Sequence, residues 1–242
     1  MTDASIVIVM KDTEDAFGHA LKDYADGKCS YEMVETRSGK IDVTSISYYF
    51  LDYDQWPSME RDAIRYAYGR IVDVGAGAGR HSLYLQDQGF DVTALDISPL
   101  AVEVMKHRGV KNVRLAGIDE VEPGWNTMIL LGNNFGLMRT IDEARAFLRR
   151  FHSESSDDAR IIAETTDPFS AGLQSDADYP GELEIRLIYR EYRSEWFRYL
   201  LADRQKLREI VEDTGWKIEH IYDMAGVDVY CFVLSKRGSV ER

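Results

Sequence analysis

Residues 71–79 read Ile-Val-Asp-Val-Gly-Ala-Gly-Ala-Gly. An apolar run carrying one acid, Asp73, breaks into Gly75, Gly77 and Gly79 before a helix-like segment. This is a strand feeding a glycine-rich turn and a helix N-terminus, where backbone N–H groups can meet a carboxylate or phosphate. Glycine suits such a turn because it accepts positive φ and lets a ligand press against bare backbone. Spacing narrows the ligand. A dinucleotide site wants G-x-G-x-x-G or A, whereas counting from Gly75 puts Arg80 at the last position. What remains is G-x-G-x-G with an acid two positions ahead of the first glycine.

Working outward, apolar strand-like runs alternate with helical stretches. Strands are expected over 70–74, 90–95, 113–116, 127–131 and 159–165, and helices over 81–88 and 141–151. Another helix, capped by Ser98 with Pro99 in its first turn, ends near Gly109. The unbroken run at 127–131 suits a strand buried on both faces. Such alternation implies a parallel sheet with right-handed crossovers and helices on both sides. Residues 183–201 then read as strand with a turn near Arg193, Asp203 caps a helix through Val211, and Gly215 stops it. Residues 216–222 and 227–234 read as a hairpin turning at 224–226. The fold expected is α/β, doubly wound and mostly parallel.

Residues 1–69 read as a helical cap of the same domain over the ligand edge, and 70–242 as the ligand-binding part. The cap is rich in aromatics, and a helix opens at Pro57 and ends at Gly69, with Met59, Ala63, Ile64 and Ala67 on one face.

Open parallel sheets bind ligands beyond the carboxyl ends of their strands. Asp96 ends the second strand at about the 20-residue distance expected of a ribose-binding acid. Its carboxylate can accept from both ribose hydroxyls. Gly117, Ile118 and Asp119 follow the third strand, and Gly132, Asn133 and Asn134 follow the fourth.

Together these residues resemble the class I S-adenosylmethionine-dependent methyltransferases, well over 70–165 and in outline through the C-terminal strands. The resemblance implies completion of the fold as a Rossmann-like seven-stranded sheet with an antiparallel C-terminal strand, and S-adenosylmethionine as cofactor. It places the backbone of Gly75, Ala76, Gly77 and Gly79 along the methionine part, Asp73 near its amino group, and Asp96 with Ile97 at the ribose. Ile118 would pack on adenine; Asp119 stands one position later than the family's usual acid there. Arg80 would pair with an acidic cap residue or with the cofactor carboxylate. Gly132 and Asn133 would face the transferable methyl, or Asn133 would simply shape the turn; Tyr49 and Glu60 of the cap, with Asn134, are the candidate acceptor contacts. The Asn/Asp-Pro-Pro-aromatic motif of nucleobase amino-methylating relatives is absent, since both prolines are missing. Segments 15–18 and 49–60 also look like the lead-in of uncharacterised bacterial and archaeal methyltransferases.

Composition bounds the rest. A chain of 242 residues, 45% hydrophobic and 29% charged, has material for a sizeable core. A formal net charge of −13 argues against a nucleic-acid substrate, which normally needs a concentrated basic surface. Cys29 and Cys231 form no metal-type or CxxC spacing and read as reduced thiols of a cytoplasmic protein. The apolar run at 6–10 is too short for a membrane span. No convergent carboxylates follow the fourth strand, so no metal is expected. The expected activity is methyl transfer to a small-molecule acceptor, with a cofactor-binding regulatory module as the alternative. No residue stands out as catalytic base, and neither the acceptor's identity nor the oligomeric state is readable.

Overall fold

The computed structural model describes residues 10–238, so most of the 6–10 run lies outside the described residues. Helix α1 (Ala16–Ala25) comes first, its cap Asp15 accepting from the Gly18 N–H. A hairpin of β1 (Tyr31–Thr36) and β2 (Ile41–Ser45) follows, then two short 3₁₀ turns and α2 (Ser58–Ile64). The alternating part runs β3 (Arg70–Val74), α3 (Arg80–Asp87), β4 (Asp91–Asp96), α4 (Pro99–Arg108), β5 (Asn112–Leu115), β6 (Thr127–Leu130), α5 (Ile141–Glu154) and β7 (Arg160–Thr166). The last third supplies β8 (Glu182–Tyr189), β9 (Tyr192–Arg193), β10 (Phe197–Leu200), α6 (Arg204–Val211), β11 (Trp216–Asp223) and β12 (Val229–Lys236).

Seven strands form one sheet in the order β11-β12-β7-β6-β3-β4-β5. The run from β7 to β5 is parallel throughout, and β12 is antiparallel to both its neighbours. Every residue of β6 is buried, as a strand covered on both faces requires. One face packs against α5 and α6 through Trp125, Phe147, Phe151 and Trp216; the other buries Ile71, Ile129 and Ile162 against α2 and α3. Local punctuation sets the element ends. Ser98 accepts from the Ala101 N–H, Gly109 closes α4 in the left-handed conformation, and Asp203 accepts from Gln205 and Lys206.

The cap departs from the helical one expected. Residues 31–45 form a hairpin, and β1 pairs with β8 of the last third. The result is a second, antiparallel sheet, β10-β8-β1-β2, with β9 on β8. Its hydrophobic signal is weak because β2 is an exposed edge strand and β8 lies far off in sequence. In the main sheet the strand order reverses between β3 and β6, which places the ligand crevice at their carboxyl ends. The second sheet reaches this edge through β10: a Cβ on Gly136 would sit 2.2 Å from the Tyr199 ring, so only glycine permits that approach.

Candidate active site

The glycine turn leaves β3 with Gly75, Gly77 and Gly79 all left-handed, at φ 69°, 57° and 77°. The N–H groups of Gly75 and Ala76 both donate to the Leu95 carbonyl, at 2.8 and 3.0 Å, fastening the turn to the end of β4. One residue on, the Gly77 N–H donates to Asp96 Oδ2 at 2.8 Å, while the Ser98 N–H donates to Oδ1 at 2.9 Å. Burial pushes the Asp96 carboxyl up to about 6 against the pull of these two N–H groups. Asp73 lies buried beneath the turn, where Ser82 Oγ donates to it at 2.7 Å and burial again raises the carboxyl.

The neighbouring edge loop is held differently from expectation. Ile118 is buried in the core with Leu95, Val121 and Trp125, whereas Ile97 is 56% exposed. A Cβ on Gly117 would lie 3.2 Å from Ile97, so the two sit side by side. Asp119 is engaged by Arg139 through two hydrogen bonds of 2.6 and 3.0 Å, which hold its carboxyl below the usual range.

At the end of β6, Gly132 and Asn133 are both left-handed. Asn134 Nδ2 donates to the carbonyls of Val74 and Gly75, at 3.0 and 2.8 Å, tying together the two strand ends that flank the crevice. Asn133 is fixed at three points. Its N–H donates to Glu164 Oε1 at 3.0 Å, its side-chain oxygen accepts from Thr166 at 2.8 Å, and its carbonyl accepts from the Tyr199 hydroxyl at 2.7 Å.

A methyltransferase-domain family profile matches residues 72–123, the span from β3 past Asp119. The S-adenosylmethionine-dependent methyltransferase of Bacteroides fragilis, solved in complex with S-adenosyl-L-homocysteine, is 31% identical, with 94% of this chain and 97% of that one covered and a TM-score of 0.83. This chain belongs to the S-adenosylmethionine-dependent methyltransferases. An uncharacterised methyltransferase of Staphylococcus carnosus is 24% identical over 176 residues, 71% of this chain and 80% of that protein. A methyltransferase of Clostridium acetobutylicum shares the fold at 11% identity and a TM-score of 0.60, with 78% of this chain and 93% of that one covered. The cofactor is therefore S-adenosylmethionine, and the activity is methyl transfer.

The methyltransferase also carries a buried polar cluster beside the crevice. Glu60, expected as an acceptor contact, is completely buried. Arg80 Nη2 donates to both its oxygens at 2.9 and 2.8 Å, His81 Nε2 lies 2.9 Å away, and the Tyr48 hydroxyl donates to it. Burial alone would raise the Glu60 carboxyl, but His81, Arg80 and Tyr48 hold it at about 2. Arg80 thus takes the first of its two expected partners, an acidic cap residue. Its Nη1 is buried with no hydrogen-bond partner among the described residues.

Three residues near Asn133 are not among those the sequence singles out: the buried Glu164 and Glu32, and the half-buried Tyr199. Glu164, 2% exposed in β7, is pushed up to about 8 by burial and by the Glu60 charge. An acid interrupting the apolar run of β7 was its available signal. Glu32 had none, because its placement depends on the β1–β8 pairing. It accepts from the Tyr49 hydroxyl at 2.7 Å, and burial raises it as well. Tyr49 and Phe17 in turn lie over the glycine turn, 3.9 and 3.4 Å from where a Gly77 Cβ would stand.

Proposed function

We propose that the acceptor is a small molecule, bound between the glycine turn and the Asn133 loop beneath Phe17 and Tyr49. The observation that carries this reading is the placement of those two aromatic rings directly over Gly77. A macromolecular acceptor would need that edge open. The net charge of −13 agrees, since it disfavours a polyanion.

The residues present fit S-adenosylmethionine. Gly75, Ala76, Gly77 and Gly79 offer bare backbone to the methionine part, and a side chain at Gly77 would crowd Phe17. The buried carboxylate of Asp73 suits the amino group, and Arg80 Nη1 is an unpartnered donor suited to the carboxylate. Asp96 spends one lone pair on each of two N–H groups, leaving others for the ribose hydroxyls. Ile97, beside Gly117, supplies the exposed apolar face for adenine; Ile118 supports that loop from within the core, and Asp119 shapes it through Arg139. Gly132 and Asn133 stand at the methyl, Asn134 holds the crevice walls together, Tyr49 lines the acceptor side, and Glu60 anchors Arg80 and Tyr48 behind it.

S-adenosylmethionine brings a methyl already activated by its sulfonium. The protein's task is then to align the acceptor, exclude water and accept the acceptor's proton. Two measurements test the reading. Calorimetry with S-adenosylhomocysteine should show saturable binding, weakened about ten- to hundredfold by Asp96→Ala, the usual range for a lost charge-assisted hydrogen bond. Methyl-labelled S-adenosylmethionine added with cell extract should place label in the small-molecule fraction; label confined to protein or nucleic acid would refute it.

A further inference from the structure

The polar groups between Gly77 and Asn133 form two hydrogen-bonded strings within electrostatic reach of one another. Tyr49 bonds Glu32, the Tyr199 hydroxyl feels the charges of both Glu32 and Glu164, and the same hydroxyl bonds the Asn133 carbonyl. The Asn133 N–H returns to Glu164, whose charge acts on Tyr48, and Tyr48 stacks edge-on against Tyr49 with ring centroids 5.8 Å apart. Together these strings hold two carboxyl groups and three tyrosines.

Their carboxyl groups find no cation partner from within. Arg80 is engaged by Glu60 through both carboxylate oxygens, and neither Glu32 nor Glu164 has a cation in hydrogen-bond reach among the described residues. Glu32 is only 7% exposed; its Oε2 takes the Tyr49 hydroxyl, and Oε1 has no hydrogen-bond partner among the described residues. Buried carboxyl groups are normally paired or fully hydrogen-bonded. The three tyrosine hydroxyls are pushed well up by burial, so they stay protonated and present hydroxyls and ring faces but no base. Carboxyl groups with no cation partner, set among aromatic rings, match a cation of modest size.

We infer that the acceptor is an alkylamine, held as its ammonium form by Glu32 and Glu164 within the Tyr48, Tyr49 and Tyr199 rings. This rests on the acceptor site proposed above. Glu164, protonated in the unliganded protein, releases its proton to solvent as the ammonium settles beside it. The ammonium then gives one proton to the carboxylate so formed, which exposes the nitrogen lone pair. The nitrogen–carbon bond forms as the carbon–sulfur bond of the methyl donor breaks. The product leaves as a methylated ammonium carrying the charge the sulfonium has lost, and Glu164 is left protonated, as it began. A phenol or carboxylate acceptor would instead place a developing anion beside two acids.

The test titrates benzylamine and its neutral isostere benzyl alcohol into the S-adenosylhomocysteine-loaded protein. Benzylamine is expected to bind about tenfold or more tightly than the alcohol, the scale of a charge-assisted contact within aromatic faces. Glu32→Gln or Glu164→Gln should abolish that preference with S-adenosylhomocysteine affinity unchanged. Equal binding of the two probes, no binding of either, or a preference that survives both substitutions overturns the amine assignment and leaves the cofactor site standing. Failure of S-adenosylhomocysteine to bind the unaltered protein overturns the underlying site and this inference with it.

Discussion

Glu164→Gln provides a test in which the sign and the size both follow from the structure. The unfolded chain releases the Glu164 proton near the ordinary 4.5, whereas the folded protein holds it until about 8. Between those values the native state carries a proton that the unfolded state lacks, so stability falls as pH rises. The slope is at most about 1.4 kcal/mol per pH unit. Glutamine is a neutral isostere whose oxygen still accepts from the Asn133 N–H, and it has no proton to lose. The groups facing Glu164 do not confuse the comparison. Glu60 titrates near 2, below the window, while Arg80 and Tyr48 stay protonated throughout and the burial-raised Cys231 thiol stays neutral. Asp96, at about 6, contributes equally to both proteins and cancels in their difference. The variant should match the parent at about pH 5 and exceed it by roughly 2–4 kcal/mol at about pH 8. Urea unfolding followed by tryptophan fluorescence at several pH values measures this, since Trp125 and Trp216 are buried in the core. A stability difference that stays flat with pH would refute the reasoning, as would a variant less stable than its parent at the alkaline end.

Other substitutions probe the remaining parts of the site. Glu60→Ala strands the Arg80 guanidinium in the interior and should cost about 3–5 kcal/mol of stability in the same unfolding assay; a loss below about 1 kcal/mol would show that the pair is not buried as described. Gly77→Ala puts a Cβ on a left-handed residue 3.4 Å from Phe17. It should cost about 1–2 kcal/mol and weaken S-adenosylhomocysteine in calorimetry. Ile97→Ser, at an exposed position, should leave thermal stability within about 0.5 kcal/mol yet lower S-adenosylhomocysteine affinity several-fold. Unchanged affinity would remove Ile97 from the adenine face.

What was legible in the sequence was local. Ser98 with Pro99, Gly109 and Asp203 mark helix ends by side-chain and backbone chemistry within four residues, and all three appear at those ends. The β6 run is apolar because both faces of that strand are covered, and this too needs no knowledge of partners. Where a side chain points in a one-turn loop was harder to read. The short turn at Ile118–Glu120 rolls Ile118 into the core and leaves Ile97 outward, a choice set by Leu95 and Trp125 rather than by neighbouring sequence. Glu60 was placed on the correct cap helix, but its orientation follows from Arg80 and His81 in α3.

The same distinction separates the cofactor side, whose residues lie close in sequence, from the proposed acceptor side. Gly75 to Gly79 and Asp96 belong to a single β-α-β unit, so their spacing in sequence is their spacing at the crevice. The proposed acceptor side draws on four separate segments: Glu32 in β1, Tyr48 and Tyr49 after the hairpin, Glu164 in β7 and Tyr199 in β10. Only the antiparallel pairing of β1 with β8, and of β8 with β10, brings the first and last of these together. Gly136 sits at the joint. A Cβ there would strike the Tyr199 ring and displace the hydroxyl that holds the Asn133 carbonyl. Gly136→Ala should therefore impair methyl transfer more than S-adenosylhomocysteine binding, because its collision falls on the wall built by the second sheet and the glycine turn is left intact. Equal losses in both measurements would mean that the second sheet also supports the cofactor side.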